Sequence, residues 1–355
     1  MMELAKDDEA IGSRGRKAVS VVVVIPFYNG SDFIERAVRS VLEQTVRPSE
    51  FIVVDDGSRP EEADKLDEIA ALLEFRVVRQ KNGGQGSARN AGVRASASDF
   101  ICFLDQDDFY LRNHIEVLIE ALPNDDPHFG WVYGDLFEAD RDGNIVSTRI
   151  ASIHSTHPKT SIFEMIRRDM HVLPSAAMIA REAFEAVEGF DSQFMGYEDD
   201  DLFLRIFRKG FTNYFIDRAV TVWCIHTEST SYGVRMARSR LRYFKKLAAT
   251  FPDEPEKGRF YMRDYLVPRF RKPIIDEAIA AVSNGSGKFR EFRDEYVLFA
   301  EEFEAAVQAN PYVRSVLKLR LRVTIFLLKK KFIGPFVKLK PVASFAYLRL
   351  RRLVG

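Results

Sequence analysis

Cysteine is almost missing from this 355-residue sequence, which holds only Cys102 and Cys224. Each lies inside an apolar run that reads as a buried strand, and neither has metal-ligand spacing. A disulfide framework and a thiolate zinc site are therefore excluded, leaving two reduced core thiols. Long apolar runs are missing too: no stretch reaches the ~18 apolar residues of a spanning helix. The opening MMELAKDDEAIGSRGRK carries acids and glycines where a signal peptide would place an apolar core. The expectation is a cytoplasmic chain, soluble or peripheral at the inner face of the cell membrane. There is no internal repeat and no low-complexity tract. With 46% hydrophobic residues, the chain is globular in composition and long enough for one large core or two domains.

Acidic residues are absent from the whole stretch after Glu304, although Arg314–Arg352 contains 12 Lys and Arg. The formal net charge of zero thus hides a division. The first 304 residues hold 40 basic and 52 acidic side chains, a net of −12, and the end of the chain is basic. Such a division points to an anionic partner for the tail.

The first hundred residues alternate strand and helix. Ser20–Ile25 is a continuous β-branched run, as in a strand buried on both faces, with Pro26 closing it. Asp32 and Glu35 form a capping box for a helix whose buried face repeats at helical spacing through Val38 and Leu42. Phe51–Val54 is a second strand, Pro60 opens an acidic helix to about Leu73, Arg76–Val78 is a weaker strand, and Phe100–Leu104 a fourth. Phe129–Ala139 and Asn144–Thr148 flank Asp142-Gly143 as a hairpin. Helices follow near Ser161–Arg168, Arg181–Val187 and Asp199–Lys209, then strands at Thr212–Ile216 and Val220–Ile225. Beyond Ser239 the pattern is helical and irregular, punctuated by prolines.

In an open parallel sheet, ligands bind at the carboxyl ends of the strands. Tyr28-Asn29, Asp55-Asp56 and Asp105-Gln106-Asp107-Asp108 all fall there. Any one cluster is an ordinary turn or cap, but together they put five carboxylates on one sheet edge. Acids so gathered repel one another unless a cation sits among them, and a hard divalent ion is the natural one. Asn82–Asn90 is glycine-rich and carries Arg89. It is neither a Walker A loop nor a dinucleotide fingerprint, but it suits close approach to a phosphorylated ligand. Glu198-Asp199-Asp200-Asp201 opens a helix; capping accounts for some of these acids, but four adjacent ones exceed what a cap requires.

VVVVIPFYNG, VDDGS, GGQGSARNAG, FLDQDD and GFDSQFMGYEDDDLFLRI occur in the order and spacing of the family 2 glycosyltransferases, which the chain resembles over residues 19–230. The resemblance implies a GT-A-type, mostly parallel α/β sheet flanked by helices, with a mainly helical C-terminal extension. It also implies inverting transfer of a hexose from a nucleotide sugar to a glycan or lipid-linked glycan acceptor, as in bacterial surface polysaccharide assembly. Pro26 and Tyr28 would line the donor site, with Tyr28 stacked on the base. Asp56 would accept a uracil N–H, which favours a UDP-sugar, and Arg89 would share that pocket. Asp105 would face the ribose, Asp107 would bind Mn2+ or Mg2+, and His226 would close over the metal or diphosphate. Asp199 matches the catalytic base, with Glu198 beside it. Two rivals are a sugar-phosphate nucleotidyltransferase, disfavoured because PFYNG is no phosphate loop, and a catalytically silent binding scaffold.

The expected divisions are an N-terminal tail (1–18), a catalytic domain (19–235), a helical extension (236–310) and a basic, membrane-seeking tail (311–355). In the tail, Leu317, Leu319, Val323 and Leu327 would point to different sides of a helix, giving no clean apolar stripe. An anionic membrane surface still fits the charge; packing on the acidic body or a dimer contact would compete with it. Nucleic acid is not expected, because the acidic body would repel it.

Overall fold

The computed structural model describes residues 19–225, 233–283 and 288–330. His226, the first 18 residues and residues 331–355 lie outside them. The first half runs β1 (Val21–Phe27), α1 (Ser31–Leu42), β2 (Glu50–Asp55), α2 (Pro60–Leu73), β3 (Arg76–Arg79), α3 (Gln85–Arg94), β4 (Phe100–Phe103), β5 (Phe109–Tyr110) and α4 (His114–Glu120). Then come β6 (Phe129–Ala139), β7 (Ile145–Ser147), α5 (Ala151–His154), α6 (Ile162–Arg167), β8 (Ala177–Ala180), α7 (Arg181–Glu185), α8 (Glu198–Arg208) and β9 (Thr212–Cys224). Five helices follow: α9 (Val234–Thr250), α10 (Val267–Ser283), α11 (Lys288–Glu291), α12 (Arg293–Ala309) and α13 (Ser315–Lys329).

The nine strands form one sheet in the order β3-β2-β1-β4-β8-β6-β9-β5, with β7 on β6. The four leading strands are mutually parallel, and β8 then joins β4 antiparallel and begins a mixed half. The β-branched run of β1 is central and wholly buried. Its side chains alternate between two cores. Val21, Val23 and Ile25 pack with Ile34, Val38 and Val41 of α1, Leu66 of α2 and Leu118 of α4. Val22 and Val24 join the opposite core with Ala88 and Val93 of α3, and that core continues without a break into α9, α10, α12 and α13.

Several local expectations change. β1 runs on through Pro26, opposite Val54, to Phe27, because an imino acid removes one donor without ending the pairing. Asp32 does not cap α1: Gly30 holds that position, and Glu62 of α2 accepts the Ser31 amide at 3.0 Å. Glu35 pairs with Arg39 instead. The two strands expected over residues 212–225 are one strand, irregular where it passes the Gly134–Leu136 stretch of β6. The expected boundary at residue 310 does not set α13 apart from the body, since Leu321, Ile325 and Leu328 are buried in the core shared with α10 and α12.

Gly92 lets α3 lie against β1, since a Cβ there would meet the Val24 side chain inside its contact radius. Gly92→Ala should destabilise the fold by about 1–3 kcal/mol through overpacking, read as a lowered urea midpoint with an unchanged m-value. Parental stability would show that Val24 yields.

Candidate active site

The carboxyl ends of β1, β2 and β4 bring the three polar clusters together. Gln106 fastens the first to the third: its Oε1 accepts the Tyr28 amide at 2.9 Å, and its Nε2 donates to the Tyr28 carbonyl at 3.4 Å. A side chain at Gly30 would push the Gln106 amide out of this position. The Tyr28 ring itself is 44% exposed, a free aromatic face over a polar site.

Asp56, at the end of β2, is buried and bound to its own chain. Its Oδ1 accepts Gln80 Nε2 at 2.7 Å and the Gly83 amide at 2.9 Å, and its Oδ2 accepts the Gly84 amide at 2.8 Å. The glycine-rich stretch is therefore tied down, and leads directly into α3. One lone-pair direction on Oδ2 is left over.

Arg89 on α3 is buried beneath the site. Its guanidinium reaches Asp105 at 2.5 Å and Glu198 at 3.5 Å, and lies over the rings of Phe190 and Phe103. Gln85 donates to the same Asp105 oxygen at 2.7 Å. Sequence reasoning places Arg89 against a ligand; the structure places it between two carboxylates from opposite halves of the domain.

The helix α8 begins after Gly196 and Tyr197, both in the left-handed region at φ of 118° and 65°. Glycine is needed at 196, where a Cβ would also strike the Met236 side chain. The Gly196 amide donates to Glu198 Oε2 at 2.6 Å. The four acids that follow are treated unequally. Glu198 meets Arg89, Asp200 meets Arg269 of α10, and Asp201 meets Arg205 at 2.7 Å and Lys246 of α9 at 2.6 Å. Asp199 accepts the Asp200 amide at 2.8 Å and, among the described residues, pairs with no cation. Burial pushes its carboxyl well above the usual range, and Asp200, Glu198 and Asp169 push it further. Arg269 and Lys246 were not found as site residues from the sequence; no local pattern links them to α8.

Asp107 is half-buried beside Asp105. Arg36 of α1 grips its backbone carbonyl at 2.9 Å and Cys224 Sγ at 3.3 Å, so that the acidic turn and the end of β9 share one clamp. Asp108 is buried: Oδ1 accepts the Cys224 amide at 2.8 Å, and Oδ2 has no partner among the described residues. Burial, then the charges of Asp107 and Asp105, drive its carboxyl well up. Both cysteines are free and buried, as expected. These oxygens suit a hard divalent cation. Among the described residues, however, no three His, Cys, Asp or Glu side chains converge on a point that could hold one.

A parallel β3-β2-β1-β4 unit with acids at its carboxyl edge, extended by a mixed half-sheet, is the GT-A class of glycosyltransferase fold. Residues 22–187 match glycosyl transferase family 2, and residues 174–229 match the N-terminal domain of galactosyltransferase. Over residues 22–187 the chain is a family 2 glycosyltransferase. It is 31% identical over 226 residues to the chondroitin synthase of Escherichia coli, covering 63% of this chain and 32% of the synthase. The chain spans a similar fraction, 27% and 31%, of glycosyltransferases from Rickettsia bellii and Rickettsia conorii. In fold it is similar to residues 1–349 of S. aureus TarS in complex with UDP-GlcNAc, with a TM-score of 0.60 at 15% identity, covering 89% of this chain and 88% of that one. A mannosyltransferase of Pyrobaculum calidifontis in complex with GDP-Man and Mn2+ aligns at a TM-score of 0.51 and 17% identity, over 90% of this chain and 91% of that one.

Removing Arg89 leaves two acids facing each other without their cation. Arg89→Met should cost about 3–5 kcal/mol, and Arg89→Lys should recover only part of this because an ammonium lacks the fork that spans both acids. Denaturant titration measures both. An Arg89→Met protein as stable as the parent would show that the bridge holds nothing together.

Proposed function

We propose that this chain transfers a hexose from a nucleotide diphosphate sugar, with UDP as the favoured carrier, to a hydroxyl of a glycan or lipid-linked glycan, inverting the anomeric centre. The observation that carries this reading is the unequal pairing of the α8 acids. Three of the four are bound to cations, while Asp199 accepts one amide and is held at raised proton affinity. Such a group is suited to take a proton at working pH.

On this reading the base of the nucleotide stacks on Tyr28, beside Pro26. The one unused lone pair of Asp56 accepts the uracil N–H, with the Gly83 and Gly84 amides holding the carboxylate in place. Asp105, held on one oxygen by Arg89 and Gln85, offers the other to the ribose. Asp107 would hold a Mn2+ or Mg2+ ion, with His226 as a further ligand and the diphosphate supplying other oxygens. The ion would act as a Lewis acid, stabilising charge on the leaving diphosphate. The acceptor oxygen forms its bond to the anomeric carbon on the face opposite the departing phosphate oxygen. Asp199 accepts the hydroxyl proton as that bond forms. Arg89 and the Gly196 amide orient Glu198 at the turn that presents Asp199. With a single base and no second carboxylate placed as nucleophile, configuration is inverted, as in the corresponding hydrolases. A nucleotidyltransferase would want a glycine-rich phosphate loop after β1, where PFYNG stands. Donor hydrolysis by the purified chain would exclude a silent scaffold. Its place in polysaccharide assembly and the division into a catalytic domain and helical extension belong to the same reading.

Asp199→Asn should leave donor affinity within a few-fold and lower turnover by about 10²–10⁴. In the parent, the acid limb of kcat should fall above the ordinary carboxylate value of ~4. Near-normal turnover in the variant would move the base elsewhere.

Asp107→Asn should weaken Mn2+ binding, followed by electron spin resonance, at least tenfold and abolish transfer. Full transfer in excess chelator would refute the metal assignment.

A further inference from the structure

The amphipathic pattern of α13 is unreadable as a single stripe because the helix is apolar on two opposite faces. Leu321, Ile325 and Leu328 point inward and are buried. Val316, Leu319, Val323 and Phe326 point outward, between 49% and 64% exposed. Their 3-4-3 spacing keeps them on one face, about half a turn from the buried set. At 100° per residue, Arg320 falls on one border of the outward face and Arg322 and Lys329 on the other.

These basic residues divide by use. Arg322 and Lys329 reach back to Glu304 and Glu301 of α12, at 3.9 and 3.2 Å, and Lys318 donates to the Gln308 carbonyl at 3.0 Å. They tie the inner face down. Arg314, Arg320 and Lys330 pair with no carboxylate among the described residues. No acidic residue follows Glu304 anywhere in the sequence.

We propose that the outward face of α13 docks on an anionic lipid surface, with Val316, Leu319, Val323 and Phe326 entering the interface and the unpaired basic residues meeting lipid phosphate. Charge selects this occupant. A second copy packed on the same face would set Arg320 and Lys330 against their own counterparts. Residues 331–355, folded back over it, would bring six further Lys and Arg and no acid. Either arrangement places like charge on like charge, whereas an anionic bilayer supplies both an apolar layer and the opposite charge. Among the described residues no helix is long and apolar enough to cross a membrane, so the helix would lie in the interface plane.

The test uses the full chain, with vesicles of phosphatidylcholine alone or mixed with phosphatidylglycerol. The parent should sediment with the mixed vesicles, not the neutral ones, and release as salt rises and the Debye length shortens from ~10 to ~3 Å. The quadruple variant Val316→Ser, Leu319→Ser, Val323→Ser, Phe326→Ser changes only exposed positions and should bind at least tenfold more weakly, with an unchanged thermal midpoint. A second variant, Arg314→Gln, Arg320→Gln, Lys330→Gln, should lose roughly fivefold per charge that reaches the surface. Parental binding by the quadruple variant would overturn the assignment of this face. Failure of the parent to bind anionic vesicles at low salt would overturn the docking itself. A dimer, seen by sedimentation velocity, that the quadruple variant abolishes while vesicle binding persists would overturn the face assignment and give the face to a second copy.

Discussion

The site depends on one buried cation. Arg89 lies under the sheet edge with its side chain 3% exposed, against 29% for Asp105 and 10% for Glu198. A lone guanidinium could not be buried so deeply; its desolvation amounts to several kcal/mol, offset only by close partners. The two partners come from different motifs. Asp105 ends the parallel half of the sheet, and Glu198 starts α8 in the mixed half. Satisfying Arg89 therefore fixes the distance between the two halves. The rings of Phe103 and Phe190, packed edge to face against each other beside the guanidinium, exclude water and strengthen both pairs. Its Nε has no partner among the described residues, a residual cost within an otherwise satisfied arrangement.

The C-terminal helices complete this scaffold from the other side. Arg269 of α10 reaches Asp200 and the Met165 carbonyl, while Lys246 of α9 reaches Asp201 and Asp191. The start of α8 is thus held between Arg89 below and two cations contributed by the helical extension. The core agrees, since the cluster containing β1 also contains Phe244, Phe270, Phe303 and Leu328. An extension that neutralises acids at the head of α8 is part of what shapes the site, whatever else its outer surface contacts.

The sequence-level reading succeeded where the pattern is local. β1, β2 and β4 are β-branched or aromatic runs, and α2 begins at its proline as read. β8 was missed because Ala177–Ala180 is short and built from small residues, with nothing to mark it except its neighbours β4 and β6. β9 read as two strands because Asp217 and Arg218 interrupt its apolar run; the pairing with β6 shifts register there and continues. Beyond Ser239, Pro268 and Pro273 suggested breaks, yet both lie within α10, whose buried face is set by Phe270, Ile274 and Ala278. At the site, the motifs marked which residues gather, but not how their charges are shared. Asp56 was legible as part of a polar cluster at a strand end, while its three bonds to Gln80, Gly83 and Gly84 depend on a loop that returns from β3. The distant partners of Asp200 and Asp201, Arg269 and Lys246, sit on helices read only as irregular. Charge pairing across long sequence separations leaves no periodicity to detect.

The head of α8 also shows which electrostatic effect wins. A helix N-terminus stabilises carboxylates by about 0.3–1 kcal/mol, less than one pH unit. Burial can move a carboxyl by up to 3–5 units in the other direction. Asp200 stands at about 6 in spite of both the dipole and Arg269, with burial as the largest cause, and Asp199 is pushed well up with no cation to oppose it. The sign for stability follows. These groups bind protons more tightly folded than unfolded, so the folded state loses ground as pH rises from the unfolded value of ~3.9 through the folded ones. At neutral pH the two acids therefore oppose folding. Their neighbours Glu198 and Asp201 each have a cation in reach. Asp199, the one acid of the four without a cation among the described residues, is thus also the one whose raised proton affinity suits the base of the proposed transfer.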